Sequence, residues 1–251
     1  MAFAPHFKRV SNPVRIAVPP YFFKYLPPER IDVLTRARFR ISQRQAVKDE
    51  YEFRPPVSQV ARDPVIRKLL EENPTHHDPR VIDHIMENPA LKQKMLEMTR
   101  SAMRTPDEFG MLCLADSPFR PNMWKEYAKS STGFVIQFRS LELTRKRILF
   151  DRVTYSDEKV PFLTEAHVPG LFFRKLFKFK EEQEWRGLMK LSLCEADGVD
   201  PDGFQLYFLY FFPSAIEAIY VMEKCTVLSE LTQLRAIDSR YSHVKMGKVE
   251  F

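Results

Sequence analysis

Short apolar runs separated by prolines open the chain, and they predict two strands with a helix between them. Residues 21–26 (YFFKYL) are mostly aromatic and are ended by two prolines, which is typical of a strand. Residues 28–35 have the spacing of a short helix, and residues 39–42 alternate between apolar and polar side chains. The chain therefore begins as a strand, a helix and a second strand.

The next part of the chain repeats one device for starting helices. An aspartate or asparagine directly precedes the proline that opens an apolar, helix-like pattern at Asp63-Pro64, Asp78-Pro79 and Asn88-Pro89. A carboxylate or amide in that position can cap free backbone amides, and proline fits the first turn of a helix. We expect a helical block over about residues 57–105, which Pro106 ends.

From Gly110 onward the pattern returns to short strands. Strands are predicted at residues 111–115, 133–138, 148–155, 185–193 and 215–222, with helices at 125–129 and 229–240. The aromatic segment 204–212 is predicted as a buried strand or, alternatively, as an edge that pairs in a homodimer. Strands on both sides of a helical block predict an α+β fold with a mixed or antiparallel sheet. A length of 251 residues fits a single domain, 1–251, with the helical block as an insertion.

Composition argues against several classes of function. The seven glycines form no phosphate-binding loop of the P-loop or Rossmann type. Cys113, Cys194 and Cys225 are far apart, so we expect neither a zinc site nor a disulfide framework. The first 18 residues lack the apolar core of a signal peptide, and no apolar stretch approaches the roughly 20 residues that span a bilayer. We therefore expect a cytoplasmic protein with no membrane contact.

The net charge of +6 is concentrated in three basic groups. They are Arg36, Arg38, Arg40 and Arg44; Arg145, Lys146, Arg147 and Arg152; and Arg174, Lys175, Lys178 and Lys180. Such groups can bind the phosphates of a nucleic acid or a dinucleotide. The alternative is ordinary solvated surface.

Candidate chemistry is concentrated in the run Glu182-Gln-Glu184-Trp-Arg186. Side chains two apart in a strand point to the same face, so Glu182, Glu184 and Arg186 are predicted to form one polar row. Neighbouring carboxylates shift each other's pKa and can divide roles. One can stabilise positive charge at an anomeric carbon while the other deprotonates a nucleophile. The alternative is an ion-pair ladder on a solvated strand.

Trp124 and Tyr127 are a second candidate pair. They are three residues apart in a predicted short helix, so they are expected to share a helical face. Two such rings could stack on a nicotinamide or adenine ring. The alternative is a buried aromatic anchor that holds the helix to the sheet.

These segments together resemble the bacterial domain of unknown function 2971 family. The resemblance is carried by Lys24-Tyr25, Ile41-Ser42, residues 47–52, Cys113-Leu114, Met123-Trp124, Tyr127-Ala128, Gly133, Ile136, Phe138, Val153, Tyr155, Lys175, Glu182, Glu184-Trp185-Arg186, Ala215-Ile216 and Ile219. The chain departs from the family pattern at Lys48, Glu50 and Ala115. If those positions touch a substrate, its identity differs from that of the family's other members.

The order of the motifs also resembles the ADP-ribosyltransferase fold, in its toxin-like branch that modifies nucleic acid. The resemblance implies NAD as a substrate, Glu184 as the catalytic glutamate and Glu182 as the residue that activates the acceptor. It places Ser42, Tyr25, Trp124 and Tyr127 in the NAD pocket, together with Lys24, which stands where the branch usually has arginine or histidine. It also implies a toxin or phage-defence effector, with an antitoxin or regulatory protein as partner.

Two other classes of function stay open at this point. A binding module without turnover would use the basic groups and an aromatic cleft to hold nucleic acid or a protein. A magnesium-dependent nuclease would gather Asp49, Glu52, Glu182 and Glu184 around the metal. In that case Lys175 or Arg186 would face the phosphate.

Overall fold

A sheet of ten strands, nearly all antiparallel, forms the centre of the protein in the computed structural model. The structure describes residues 18–43, 67, 71, 78–94, 105–144, 148–157 and 172–251. The strands are β1 Tyr21–Leu26, β2 Arg38–Gln43, β3 Phe109–Ala115, β4 Phe134–Arg139, β5 Leu149–Arg152, β6 Thr154–Tyr155, β7 Arg174–Lys175, β8 Glu184–Lys190, β9 Glu195–Val199, β10 Gln205–Tyr210, β11 Ile216–Val221 and β12 Lys245–Lys248. β6 and β7 pair in a separate, parallel sheet.

The helices whose bounds lie within the described residues are short and lie between the strands. They are α1 Asp32–Thr35, α2 Pro79–Glu87, α3 Pro121–Glu126, α4 Ser140–Thr144 and α5 Leu228–Ile237. The predicted caps of the helical block are confirmed for Asp78, which accepts from the backbone N–H of Arg80, and for Asn88, which accepts from that of Ala90. Much of the predicted block over residues 57–105, including Asp63, lies outside the described residues. None of the helices in the described ranges has the length and apolarity needed to cross a membrane.

The sheet forks at β3. One edge of β3 pairs with β8 along its whole length. The other edge is shared, because β1 pairs at Phe23 with Ala115 and β2 pairs at Ser42 with Met111. From this fork one branch continues as β1, β4, β11 and β12, and the other as β2, β10 and β9.

The main core lies between the two branches. Phe39 of β2 packs against Phe138 of β4 and against Phe211, with ring centroids 4.9 and 4.6 Å apart. On β8, Trp185 and Met189 point into this core. The strand's alternation therefore puts its even-numbered residues, beginning with Glu184, on the opposite face.

The α+β fold class with a mostly antiparallel sheet is confirmed, and several details differ from the sequence prediction. The predicted strand over 148–155 is divided, because Val153 leaves β5 and its N–H bonds to the carbonyl of Glu184. The helix predicted at 125–129 begins earlier, at the proline that opens α3. The predicted strand at 204–212 is β10, which lies between β2 and β9, so neither of its edges is free for a homodimer.

Gly133 provides a test of how closely the chain before β4 packs against the end of β1. A Cβ at this position would collide with the carbonyl oxygen of Leu26 and lie 2.9 Å from the α-carbon of Pro27, so the backbone would have to move. Gly133→Ala is expected to lower the free energy of unfolding by about 2–3 kcal/mol in urea titrations. Gly198→Ala is the control, because its Cβ would meet open space. Its free energy of unfolding should fall by only about 1 kcal/mol, the strain of alanine at the left-handed φ of +74°. Equal losses would contradict the close approach.

Candidate active site

Glu184 and Arg186 form a buried ion pair on the face of β8 away from the main core. The guanidinium is bidentate: Nε donates to Glu184 Oε1 at 2.9 Å, and an Nη donates to Oε2 at 3.1 Å. The other Nη of Arg186 donates to the carbonyl oxygens of Phe172 (2.7 Å) and Arg174 (3.3 Å). Arg186 is fully buried and Glu184 nearly so, which makes both hydrogen bonds charge-assisted in a low-dielectric environment.

Lys175 of β7 links this pair to a second carboxylate. Its Nζ lies 2.7 Å from Glu182 Oε2 and 3.4 Å from Glu184 Oε2, and the side chain is buried. One ammonium thus bridges both acidic residues that the sequence predicted to lie together. We call Lys175, Glu182, Glu184 and Arg186 the ion network.

Glu182 reaches the network by a different route from the one predicted. It ends a 3₁₀ helix, Phe177–Glu182, and β8 begins only at Glu184, so the predicted strand row of Glu182, Glu184 and Arg186 is wrong at its first member. Between them Gln183 adopts a left-handed conformation, with φ 46°, and its side-chain amide donates to the carbonyl of Lys180. The turn brings the Glu182 carboxylate against Lys175, with 13% of the side chain exposed.

Two tyrosines hydrogen-bond to the network, one to a carboxylate on its exposed side and one to its backbone. The hydroxyl of Tyr127 donates to Glu182 Oε1 at 2.9 Å, and the residue is 41% exposed. The hydroxyl of Tyr155 accepts from the backbone N–H of Glu184 at 2.8 Å. Burial raises the pKa of both phenols, that of Tyr155 to about 12. Both are therefore neutral hydrogen-bonding groups near pH 7.

The two carboxylates differ in electrostatics. Burial alone would raise the pKa of Glu184, but Arg186 and Lys175 outweigh it and lower that pKa to about 2. For Glu182, burial outweighs Lys175, so its pKa is raised above the ordinary value. Glu184 is thus a fixed anion, whereas Glu182 is the carboxylate of the two that takes up a proton more readily.

Trp124 and Tyr25 form an anchor instead of a ligand platform. Trp124 is 1% exposed, its indole N–H donates to the carbonyl of Pro118 at 2.7 Å, and its ring lies edge-on to Tyr25 at 5.7 Å. The hydroxyl of Tyr25 donates to the carbonyl of Ser117 at 2.9 Å. Tyr127 is the C-cap residue of α3, and it is 41% exposed where Trp124 is buried, so the two rings do not form one platform. In this structure the indole is enclosed and cannot stack on a nicotinamide.

Lys24 lies close enough to Glu184 to interact with its charge, whereas Ser42 lies farther along β3. The ammonium of Lys24 donates to the carbonyl of Cys113 at 2.8 Å, in the gap between the attachments of β1 and β2 on β3. Burial lowers the pKa of Lys24. Ser42 pairs with Met111, four positions along β3 from the residue that faces Glu184, or about 13 Å away. The structure therefore does not bring Ser42 to the ion network.

Several residues of the predicted basic groups are neutralised within the chain. The pairs are Arg38 with Asp197, Arg40 with Asp200 and Arg152 with Asp116. Lys178 and Lys180 are exposed, whereas Arg44 and residues 145–147 lie outside the described part of the chain. The surface that phosphates could reach is therefore smaller than the sequence predicts.

A magnesium site at Glu182 and Glu184 does not fit this arrangement. The ammonium of Lys175 lies between the two carboxylates, where the metal ion would have to bind. Asp49 and Glu52, the other predicted ligands, lie outside the described residues. Over the ranges that the structure describes, no three His, Cys, Asp or Glu residues are grouped as metal ligands.

Comparisons with models of known protein families, with curated proteins and with solved structures gave no significant match for this chain. The two resemblances stated from the sequence therefore stay expectations. What the site can do follows from its geometry. Lys175 and Tyr155 are central to that geometry. The sequence suggests Lys175 near the carboxylates only as a phosphate-facing residue of a nuclease, and it gives Tyr155 no role there.

Removing the charge of Glu184 should be much more harmful than removing a similar surface charge. Glu184→Gln leaves two buried cations, Arg186 and Lys175, without their shared anion, and should lower the free energy of unfolding by about 3–5 kcal/mol. Glu217→Gln is the matched control, since Glu217 also holds an arginine and a lysine, but both are exposed. The control should lose less than about 1 kcal/mol in the same denaturant titration. Similar losses would show that the network is not buried.

The depressed pKa of Glu184 also predicts a pH dependence. A carboxylate whose folded pKa lies below its ordinary value of 4.5 contributes stability above that value and loses it as pH falls towards about 2. The difference in free energy of unfolding between the native chain and Glu184→Gln should narrow by about 2 kcal/mol between pH 4.5 and pH 3. The effects of carboxylates that do not interact with Glu184 cancel in this difference. A difference that stays constant with pH would contradict the assignment.

Proposed function

We propose that the chain is an NAD-dependent ADP-ribosyltransferase-like enzyme in which Glu182 is the reacting carboxylate. The observation that supports this is the unequal state of the two glutamates around Lys175. Glu184 is fixed as an anion, while Glu182 is partly exposed, has a raised pKa and lies against the hydroxyl of Tyr127. Transfer of a glycosyl group requires a proton acceptor at the exposed edge of the site, next to charges that are held in place.

The proposed reaction exchanges one bond at the anomeric carbon of the nicotinamide ribose. The bond to nicotinamide breaks, and nicotinamide leaves with the bonding electron pair. An oxygen or nitrogen of the acceptor forms the new bond, and Glu182 takes the proton that the acceptor releases. The hydrogen bond from Tyr127 orients the Glu182 carboxylate for that transfer.

Glu184 and Arg186 have positioning roles in this proposal. Both oxygens of Glu184 already accept from Arg186 or Lys175, and the thiol of Cys113 also hydrogen-bonds to this carboxylate. A carboxylate has about four lone-pair sites, so these donors fill it. The assignment reverses the roles that the ADP-ribosyltransferase resemblance implies, in which Glu184 is the catalytic residue.

The setting of the proposed activity follows from its substrate. NAD is an intracellular dinucleotide, so we place the protein in the cytoplasm. A nucleic acid or a protein would accept the ADP-ribose, as expected of a toxin or phage-defence effector. An antitoxin or regulatory protein would then hold the activity in check.

A second candidate is a binding module without turnover. It is favoured by the complete pairing of Glu184 with cations of its own chain. In this interpretation the ion network is purely structural and joins β7, β8 and the 3₁₀ helix. In that case the exposed side chains beside the network would bind a partner, and NAD would not be consumed.

Release of nicotinamide from NAD separates the two candidates. The native chain should release nicotinamide, and Glu182→Gln should release it at least about 100-fold more slowly, because a general base contributes that much. Glu181→Gln is the matched control: it changes the neighbouring, exposed glutamate and should keep the native rate. Equal rates for Glu182→Gln and Glu181→Gln would reject the role of Glu182. No release by the native chain, in the presence of DNA, RNA or protein acceptors, would favour the binding module.

A further inference from the structure

Directly before Glu182 the chain alternates phenylalanine and lysine on its surface. Phe177 is 49% exposed, and Lys178 and Lys180 are exposed as well. The ammonium of Lys180 lies 4.6 Å from the ring centroid of Phe177, and that of Lys178 lies 4.7 Å from the ring of Phe179. Aromatic rings and cations thus form one continuous ridge over residues 177–180.

The ridge is held in place by the rest of the site. The backbone N–H of Phe177 donates to Asp157 Oδ1 at 3.0 Å, and the side chain of Gln183 donates to the carbonyl of Lys180 at 2.8 Å. Underneath, the ammonium of Lys175 lies 4.7 Å from the ring of Phe179. Both ends of the ridge are fixed, and its middle rests on the ion network. Ligand binding would therefore cost little conformational entropy in the ridge.

We infer that this ridge binds single-stranded nucleic acid. An exposed aromatic ring offers a face on which an unpaired base can stack, and neighbouring lysines neutralise the phosphates that flank it. The ridge ends two residues before Glu182, so a strand bound there would lie near the carboxylate that accepts a proton. Calling this strand the acceptor rests on the proposed function, whereas the binding itself does not.

Other anionic ligands fit the ridge less well. The bases of a duplex are already stacked inside it and cannot stack on Phe177. An anionic membrane favours a broad surface that is basic and apolar, but here the exposed Glu181 directly follows Lys180. A single strand is narrow enough to follow the ridge and leave Glu181 uncovered.

The test measures binding of fluorescently labelled single-stranded DNA and RNA oligomers by anisotropy, without NAD. Phe177→Ala/Lys180→Gln should bind roughly tenfold more weakly than the native chain. It should also show a salt dependence smaller by about one phosphate contact. Phe212→Ala/Lys248→Gln is the control, since it removes an exposed phenylalanine and an exposed lysine elsewhere and should bind as the native chain does.

Three results would overturn the inference. One is equal binding by the ridge variant and its control. Another is binding of duplex DNA as tight as that of the single strand, which would exclude stacking on Phe177. The third is preferential binding of vesicles of anionic lipid that the ridge variant loses, which would assign the ridge to a membrane surface. Since NAD is absent throughout, none of these results depends on whether the chain turns NAD over.

Discussion

The bidentate contact between Arg186 and Glu184 is the interaction on which the site depends. A fully buried guanidinium is tolerated only when its donors are used, and here they go to one carboxylate and to two backbone carbonyls before β8. The same contact fixes Glu184 as an anion, which in turn holds Lys175. Through these charges β8, β7 and the 3₁₀ helix become one rigid unit.

This unit makes two glutamates of the same sequence run chemically different. Glu184 faces an arginine and a lysine in the interior, so its proton is lost well below neutral pH. Glu182 shares only the lysine, which does not offset the burial of its carboxylate, so its affinity for a proton rises. The difference comes from the environment and not from residue type. This difference also divides the two roles in the proposed reaction. Glu182, which takes the proton, lies next to the exposed phenylalanine and lysine ridge.

Sequence patterns predicted the fold well where packing follows local periodicity. β1 has aromatic residues that point to both cores, and α2 has its capping aspartate, so both were found. β9 was missed because all its residues are exposed and no apolar alternation marks it. The site was predicted only in part, because a left-handed Gln183 cannot be read from residue types and turns Glu182 out of the strand. Trp124 was given two interpretations, and only burial in the folded chain distinguishes them.

The most direct test of this account is a carbon-13 NMR titration of the glutamate side-chain carboxyls, with Glu182 and Glu184 assigned through the Glu182→Gln and Glu184→Gln spectra. The Glu184 carboxyl should stay ionised until pH approaches about 2, while the Glu182 carboxyl should titrate above the ordinary glutamate value of 4.5. Two carboxyls that both titrate near 4.5 would contradict it, because neither would then be held by buried charges.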